Sequence, residues 1–265
     1  MTAENFETHL LPREAGLYCP AGDFYIDPVR PVERALITHG HADHARAGHR
    51  SVLATPETLA IMRLRYGQDF AQKTQALAYG ERLRIGDAEV WLVPAGHVLG
   101  SAQAVIDSGE SRFVVSGDYK RRFDPTCAGF EPVACDVFVT EATFALPVFR
   151  HPDSASEVAK LVQAREIFPE RAILAGAYAL GKAQRLIALL RRSGYDRPIY
   201  LHGALEKMCA LYEEFGIDLG RLVPVAGTDK SDLKGEIVMA PPSALADRWS
   251  RRLPDPLPAF ASGWM

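Results

Sequence analysis

The sequence predicts an α+β protein in two parts, and three observations carry that expectation. Short apolar runs split by turn signals fill the first half. Helices alternate with strands from about residue 150, and a dense histidine–aspartate run sits at the tip of one early strand. The 265 residues suffice for one large domain or two modest ones. Hydrophobic residues make up 48% and charged residues 24%, a balance that excludes a disordered chain. No apolar run approaches the roughly 18 residues of a membrane span, so no membrane partner is expected. Met1–Glu7 carries two glutamates, no basic start and no apolar stretch, so no secretion leader is read there and a cytoplasmic location is expected. Cys19, Cys127, Cys135 and Cys209 show no C-x-x-C spacing, which suits reduced thiols. The net charge of −3 means that a nucleic-acid partner would need a local basic patch.

In chain order, Phe24–Ile26, Ala35–Thr38 and Val52–Ala54 read as short strands ending at turn signals. A helix is expected over Pro56–Tyr66, with proline in its first turn and Gly67 at its end. Ala88–Val93 reads as a further strand, and Ala102–Ile106 and Phe113–Val115 flank the hairpin signal Asp107-Ser108-Gly109-Glu110. Asp136–Thr140 reads as a buried strand. The texture changes at Pro147–Asp153, which places a domain boundary near residue 150 and divides the chain into 1–150 and 151–265. Ser154 to Glu157 forms a capping-box pattern that opens a helix to about Phe168. Strands are then expected at Ala172–Ala175, Pro198–His202, Glu236–Ala240 and Pro258–Ala261, and helices at Leu180–Arg192 and Ala204–Phe215.

The chemistry concentrates in Thr38-His39-Gly40-His41-Ala42-Asp43-His44. Chance places such an H-x-H-x-D-H run in a chain like this roughly one time in a thousand or less. On an extended or turning segment, residues two apart point the same way, so His39 and His41 can grip one ion. Asp43 and His44 then turn toward a second ion close by. His97, among small residues in a turn, and Asp118, after a buried strand, supply what such a site lacks; taken alone, each would read as structural. Lys120, Arg121 and Arg122 follow Asp118 directly and read either as a solvated charge run or as cations facing phosphate. Lys182 near a helix start suits an anion, although an ordinary helix-face lysine needs no such role.

The order Asp27, H-x-H-x-D-H at 39–44, His97 and Asp118 resembles the metallo-β-lactamase fold, an αββα sandwich with a dinuclear metal site. The resemblance implies His39, His41 and His97 on one ion, Asp43 and His44 on the other, Asp118 between them, and Asp27 as a buttress for the metal loop. Two divalent ions are then expected, zinc first on the histidine-rich ligation, with manganese or iron open, and no small organic cofactor. Three further segments resemble the β-CASP nucleases: Gly96-His97-Val98-Leu99-Gly100-Ser101-Ala102, Thr140-Glu141-Ala142-Thr143-Phe144, and Ala177-Tyr178-Ala179-Leu180-Gly181-Lys182-Ala183-Gln184. Within that group the short inserted domain and Phe260-Ala261-Ser262-Gly263-Trp264 look most like the bacterial ligase-associated DNA exonucleases.

What this resemblance implies is a hydrolase, a DNA 3′ exonuclease of DNA repair that cuts phosphodiester bonds, with a repair ligase as a possible partner. Asp43, Asp118 and Glu141 would be catalytic; Lys120, Arg121, Lys182 and His202 would face nucleic acid. The family carries two later histidines that this chain does not contain before Met265. The expectation is therefore an incomplete site, with part of an apolar sheet face left uncovered. An RNA-processing nuclease, a small-molecule thioester hydrolase and a non-catalytic nucleic-acid-binding remnant stand as alternatives.

Overall fold

The computed structural model describes residues 9–262; the leader reading at Met1–Glu7 and the Gly263-Trp264 end of the last resemblance lie outside the described residues. The chain divides into two compact units, Met1–Ala142 and Thr143–Met265. No helix among the described residues is long and apolar enough to cross a membrane. Among the cysteines, Cys19 and Cys209 are buried thiols and Cys127 and Cys135 are half-buried.

The first unit is a two-sheet sandwich. One sheet runs β1 (Leu11–Arg13), β2 (Gly16–Cys19), β3 (Phe24–Ile26), β4 (Arg34–Leu36), β5 (His49–Ala54) and β6 (Ala71–Ala76), in that spatial order. Strands β3 to β6 are parallel, so the loop after β4 leaves the sheet at one end, where binding residues commonly project. The second sheet orders β11 (Val137–Val139), β10 (Arg112–Val115), β9 (Ala102–Asp107), β8 (Ala88–Pro94) and β7 (Leu83–Ile85). Leu36, Leu53 and Phe24 of the first sheet meet Val90, Leu92, Ala104 and Phe113 of the second, all buried. Alternate residues of the first sheet, Ala35, Ile37, Val52 and Ala54, pack outward against Leu59 and Met62 of helix α1 (Pro56–Tyr66).

Helix α1 starts and stops as its sequence dictates: the Thr55 hydroxyl accepts from Thr58 N at 3.2 Å, and Gly67 closes it at φ +89°. The other outer face carries Trp91, Val93, Val105 and Val114. A helix would cover it in a complete four-layer sandwich. Here the irregular segment bearing Val133 and Cys135 packs on it, and the Arg82 and Arg112 guanidinium groups lie over the Trp91 ring. The expectation of an uncovered face is therefore corrected for these four residues, each no more than 6% exposed. Phe138, the register partner of Val114, stays exposed beside them.

The second unit is a parallel α/β layer. Its sheet orders β14 (Leu222–Pro224), β13 (Ile199–Leu201), β15 (Ile237–Ala240), β12 (Ile173–Gly176) and β16 (Leu257–Phe260), with every pair parallel. Its helices are α2 (Ser154–Ile167), α3 (Lys182–Arg192) and α4 (Gly203–Glu214). Ser154 does not cap α2 as expected. Asp153 does, because its carboxylate reaches both Ala155 N and Ser156 N.

Candidate metal centre

The loop that follows β4 begins with Thr38 and delivers its histidines inward. His39 is fully buried, and Gly40 next to it has no room for a side chain, since a Cβ there would lie 2.5 Å from Ile61 Cγ2. His97 sits in the turn between β8 and β9. Its backbone N–H donates to Ser101 Oγ at 3.0 Å, and neighbouring Gly96, at φ +72°, allows the Lys120 carbonyl to pass where a Cβ would stand. Asp118 arrives from the loop after β10.

These elements bring four donors together. His39 Nε2 lies 3.0 Å from His41 Nδ1, which lies 3.1 Å from His97 Nε2. Asp118 Oδ2 stands 3.8 Å from His39 Nε2 and 3.5 Å from His97 Nε2. All four donors fall within 4.8 Å of one another. Ligand bonds near 2.1 Å in a tetrahedron put neighbouring donors about 3.4 Å apart, so the set has the spacing of a metal cradle. Burial, with the neighbouring histidines second, pushes His39 well below the ordinary histidine range, and burial with His41 sets His97 at about 4. Both are therefore neutral at pH 7, as a ligand must be.

Asp118 also faces the other way. Its Oδ1 is 3.3 Å from His44 Nε2, and Asp43 Oδ2 is 3.7 Å from the same nitrogen. Burial opposes a charge on His44, but hydrogen bonds to Asp118 and Asp27 outweigh it and raise the imidazole to about 10. Asp43, His44, Asp27, Ser116 and Glu141 line one cavity of about 240 Å³. The Glu141 backbone N–H donates to Ser116 Oγ at 3.3 Å.

Asp27 braces both groups of donors. Its Oδ1 accepts from Thr38 N at 2.7 Å, and its Oδ2 accepts from Thr38 Oγ1 at 2.6 Å and from His44 Nδ1 at 2.7 Å. With its own proton turned to Asp27, Thr38 Oγ1 can accept from His39 Nδ1 at 3.1 Å. The bond to Thr38 assigns the His39 proton to Nδ1 and leaves its Nε2 open to the metal side, whereas His44 also holds a proton on Nε2 toward Asp118, which an ion bound there would have to displace. Sequence reasoning assigned no role to Thr38, nor to Arg65, whose guanidinium donates to Gly40 O at 2.6 Å. Thr38 was visible as the residue preceding the histidine run; Arg65 left no signal.

The expected nucleic-acid residues fall in different settings. Lys120 pairs with the buried Asp124 carboxylate, and Arg121 is exposed. Lys182 opens α3 with its Nζ 5.5 Å from the Tyr178 ring centroid. His202 is the N-cap of α4: its Nδ1 accepts from Ala204 N at 3.0 Å, and its ring packs on Trp249.

The strand-end loops of the two-sheet sandwich thus converge three histidines and an aspartate that could hold a metal ion, the arrangement expected from the metallo-β-lactamase resemblance. No family model matches the chain. It is 30% identical over 254 residues to a protein named a probable DNA ligase in Opitutus terrae, covering 94% of this chain and 24% of that one. Cleavage and polyadenylation specificity factor subunit 3-I of Arabidopsis thaliana is 24% identical, covering 87% of this chain and 42% of its own. A ribonuclease of Thermus thermophilus is 27% identical, covering 75% and 52%. A solved Enterococcus faecalis protein of unknown function shares the fold at a TM-score of 0.50 and 17% identity, over 86% of this chain and 58% of that one. The chain thus spans from about a quarter to about half the length of these curated relatives. Its relatives thus include proteins of the β-CASP group of the metallo-β-lactamase fold, in agreement with the resemblance read from its motifs.

Proposed function

We propose that this chain carries the metal centre of a phosphodiester hydrolase, a DNA 3′ exonuclease of repair. The supporting observation is the two-sided Asp118 carboxylate, with His39, His41 and His97 on one side and His44 and Asp43 on the other. These residues fit a pair of divalent ions, zinc first, held by His39, His41, His97 and Asp118 and by Asp43, His44 and Asp118. Such a pair, when bound, acidifies a water and stabilises charge on phosphate oxygens. Glu141, on the same cavity as Asp43 and His44, takes the proton from the attacking water. The relative named a probable DNA ligase supports a role beside ligation; the relative named a ribonuclease favours a second reading, RNA as substrate.

The deciding experiment is turnover of end-labelled DNA and RNA strands by the purified natural protein with added zinc or manganese, DNA blocked at either end. Loss of DNA from the free 3′ end, abolished in Asp118→Asn and His41→Ala, is the expected result. Cleavage of RNA alone would replace the DNA reading with the second one, and release of internal DNA fragments would overturn the exonuclease mode.

A further inference from the structure

The second unit holds a candidate surface of its own. All five of its strands are parallel, so their carboxyl ends emerge along one edge, and β12 lies between the later strands β15 and β16. Open parallel sheets take ligands along that edge, where strand order turns. From β12 the chain runs on into Tyr178, while β16 ends at Phe260, the register partner of Gly176. The two rings stand 6.4 Å apart at 71°, and Lys182 Nζ lies 5.5 Å from the Tyr178 centroid. Toward β15 the edge is closed, because Leu245 packs against Gly176 where a Cβ would approach within 2.7 Å. Toward β16 it is open, with Tyr178 52% and Phe260 39% exposed.

Two large aromatic rings held in water beside a lysine match one ligand chemistry well. Bases of an unpaired strand offer flat π faces at regular intervals, joined by phosphates that a lysine can meet. A duplex hides those faces in its stack. We propose that Tyr178, Phe260 and Lys182 form a stacking platform for single-stranded nucleic acid, with the rings taking bases and Lys182 taking a phosphate. The proposal rests on the nucleic-acid reading above and adds the strand form and the residues that hold it. Stacking is indifferent to the sugar, so DNA and RNA strands should bind alike.

The test is fluorescence anisotropy with short dye-labelled strands, in chelator so that nothing is cleaved. DNA, RNA, an abasic strand and a duplex are compared. Tyr178→Ala and Phe260→Ala should each weaken single-strand binding roughly 5- to 150-fold and leave the abasic strand within about twofold. Tyr178→Trp should keep or tighten binding, which separates the ring's role from folding. Lys182→Ala should flatten the salt slope by about 0.7, one phosphate contact on a single strand. Natural protein that binds single strands equally well after Tyr178→Ala and Phe260→Ala overturns the platform while leaving the nuclease reading intact. Equal losses on the abasic strand also overturn stacking. If the natural protein binds neither strand nor duplex, the nucleic-acid reading itself falls, and the platform with it.

Discussion

Asp27 occupies a left-handed backbone conformation, φ +44°, that side chains other than glycine rarely adopt. The strain is accepted because the carboxylate then meets the Thr38 amide, the Thr38 hydroxyl and His44 at once. One residue thereby orients a donor on each side of Asp118. Asp27→Asn keeps the shape but puts an amide where one oxygen now accepts. Metal affinity measured by competition with a chromophoric chelator should drop roughly 10- to 100-fold, with the fold retained. Unchanged affinity would reduce Asp27 to a turn residue. His49 makes a second case at this scale. It is 1% exposed; its Nδ1 accepts from Val32 N at 3.3 Å, and its Nε2 finds no partner among the described residues. Burial lowers its pKa, so the unfolded chain binds the proton first as the pH falls. The contribution is therefore full above about pH 6.5 and is lost as the pH drops from there toward the folded value. In urea titrations between pH 5.5 and 7, about the range in which an unfolded histidine titrates, His49→Gln should show a shallower pH dependence than the natural protein. Equal slopes would remove His49 from the account.

Helix α1 works at both of its ends. At its start, Thr55 Oγ1 and Thr58 Oγ1 donate to Gly100 O at 2.7 and 3.0 Å, fixing the turn that carries His97. At its end, Arg65 holds Gly40 O and the Tyr66 hydroxyl donates to Ala45 O at 2.8 Å, fixing the His39–His44 loop. Thr58→Val, which leaves the buried Gly100 carbonyl with one donor fewer, should cost about 1–2 kcal/mol in denaturant unfolding. It should also speed amide exchange in the His97 turn; a neutral result would mean that Thr55 suffices alone. In the second unit, His202→Ala should cost about 1 kcal/mol through loss of the α4 cap, and His202→Asn should restore most of it. Helix α1 was legible down to its cap and closing glycine, because Pro56 and Gly67 are local signals. Strand β6, Ala-Gln-Lys-Thr-Gln-Ala, was not: an exposed edge strand has no apolar alternation, and its backbone pairing with β5 forms it. The edge strands β1 and β7, three residues each, are too short to show a period at all. The metal donors were legible because their chemistry forces a rare residue pattern. Arg65 was not, since it acts on a loop distant in sequence.

Each unit of the molecule has a core of its own. The first is closed between two sheets, the second around Leu174, Val238 and Ala240 with Leu233 and Leu253. The clustered donors His39, His41, His97 and Asp118 all belong to the first unit, Met1–Ala142. A ligand that binds only the folded form stabilises what it binds, by about 2.7 kcal/mol at a hundredfold excess over its dissociation constant. For a unit of this size that corresponds to roughly 5–12 °C in melting temperature. Calorimetry of the natural protein should therefore show zinc raising the transition of the first unit and leaving that of the second in place. Chelator should reverse the shift, and His97→Ala with Asp118→Ala should abolish it without moving the second transition. The double variant separates the clustered donors from incidental histidines, because His9, His49 and His151 remain in it. Equal shifts of both transitions would mean that metal acts on the chain at large, and a zinc shift that survives the double variant would place the ion elsewhere. Either result would remove the four-donor cluster as the metal centre, whereas a shift confined to the first unit and lost in the variant ties metal binding to the loops that β4, β8 and β10 present.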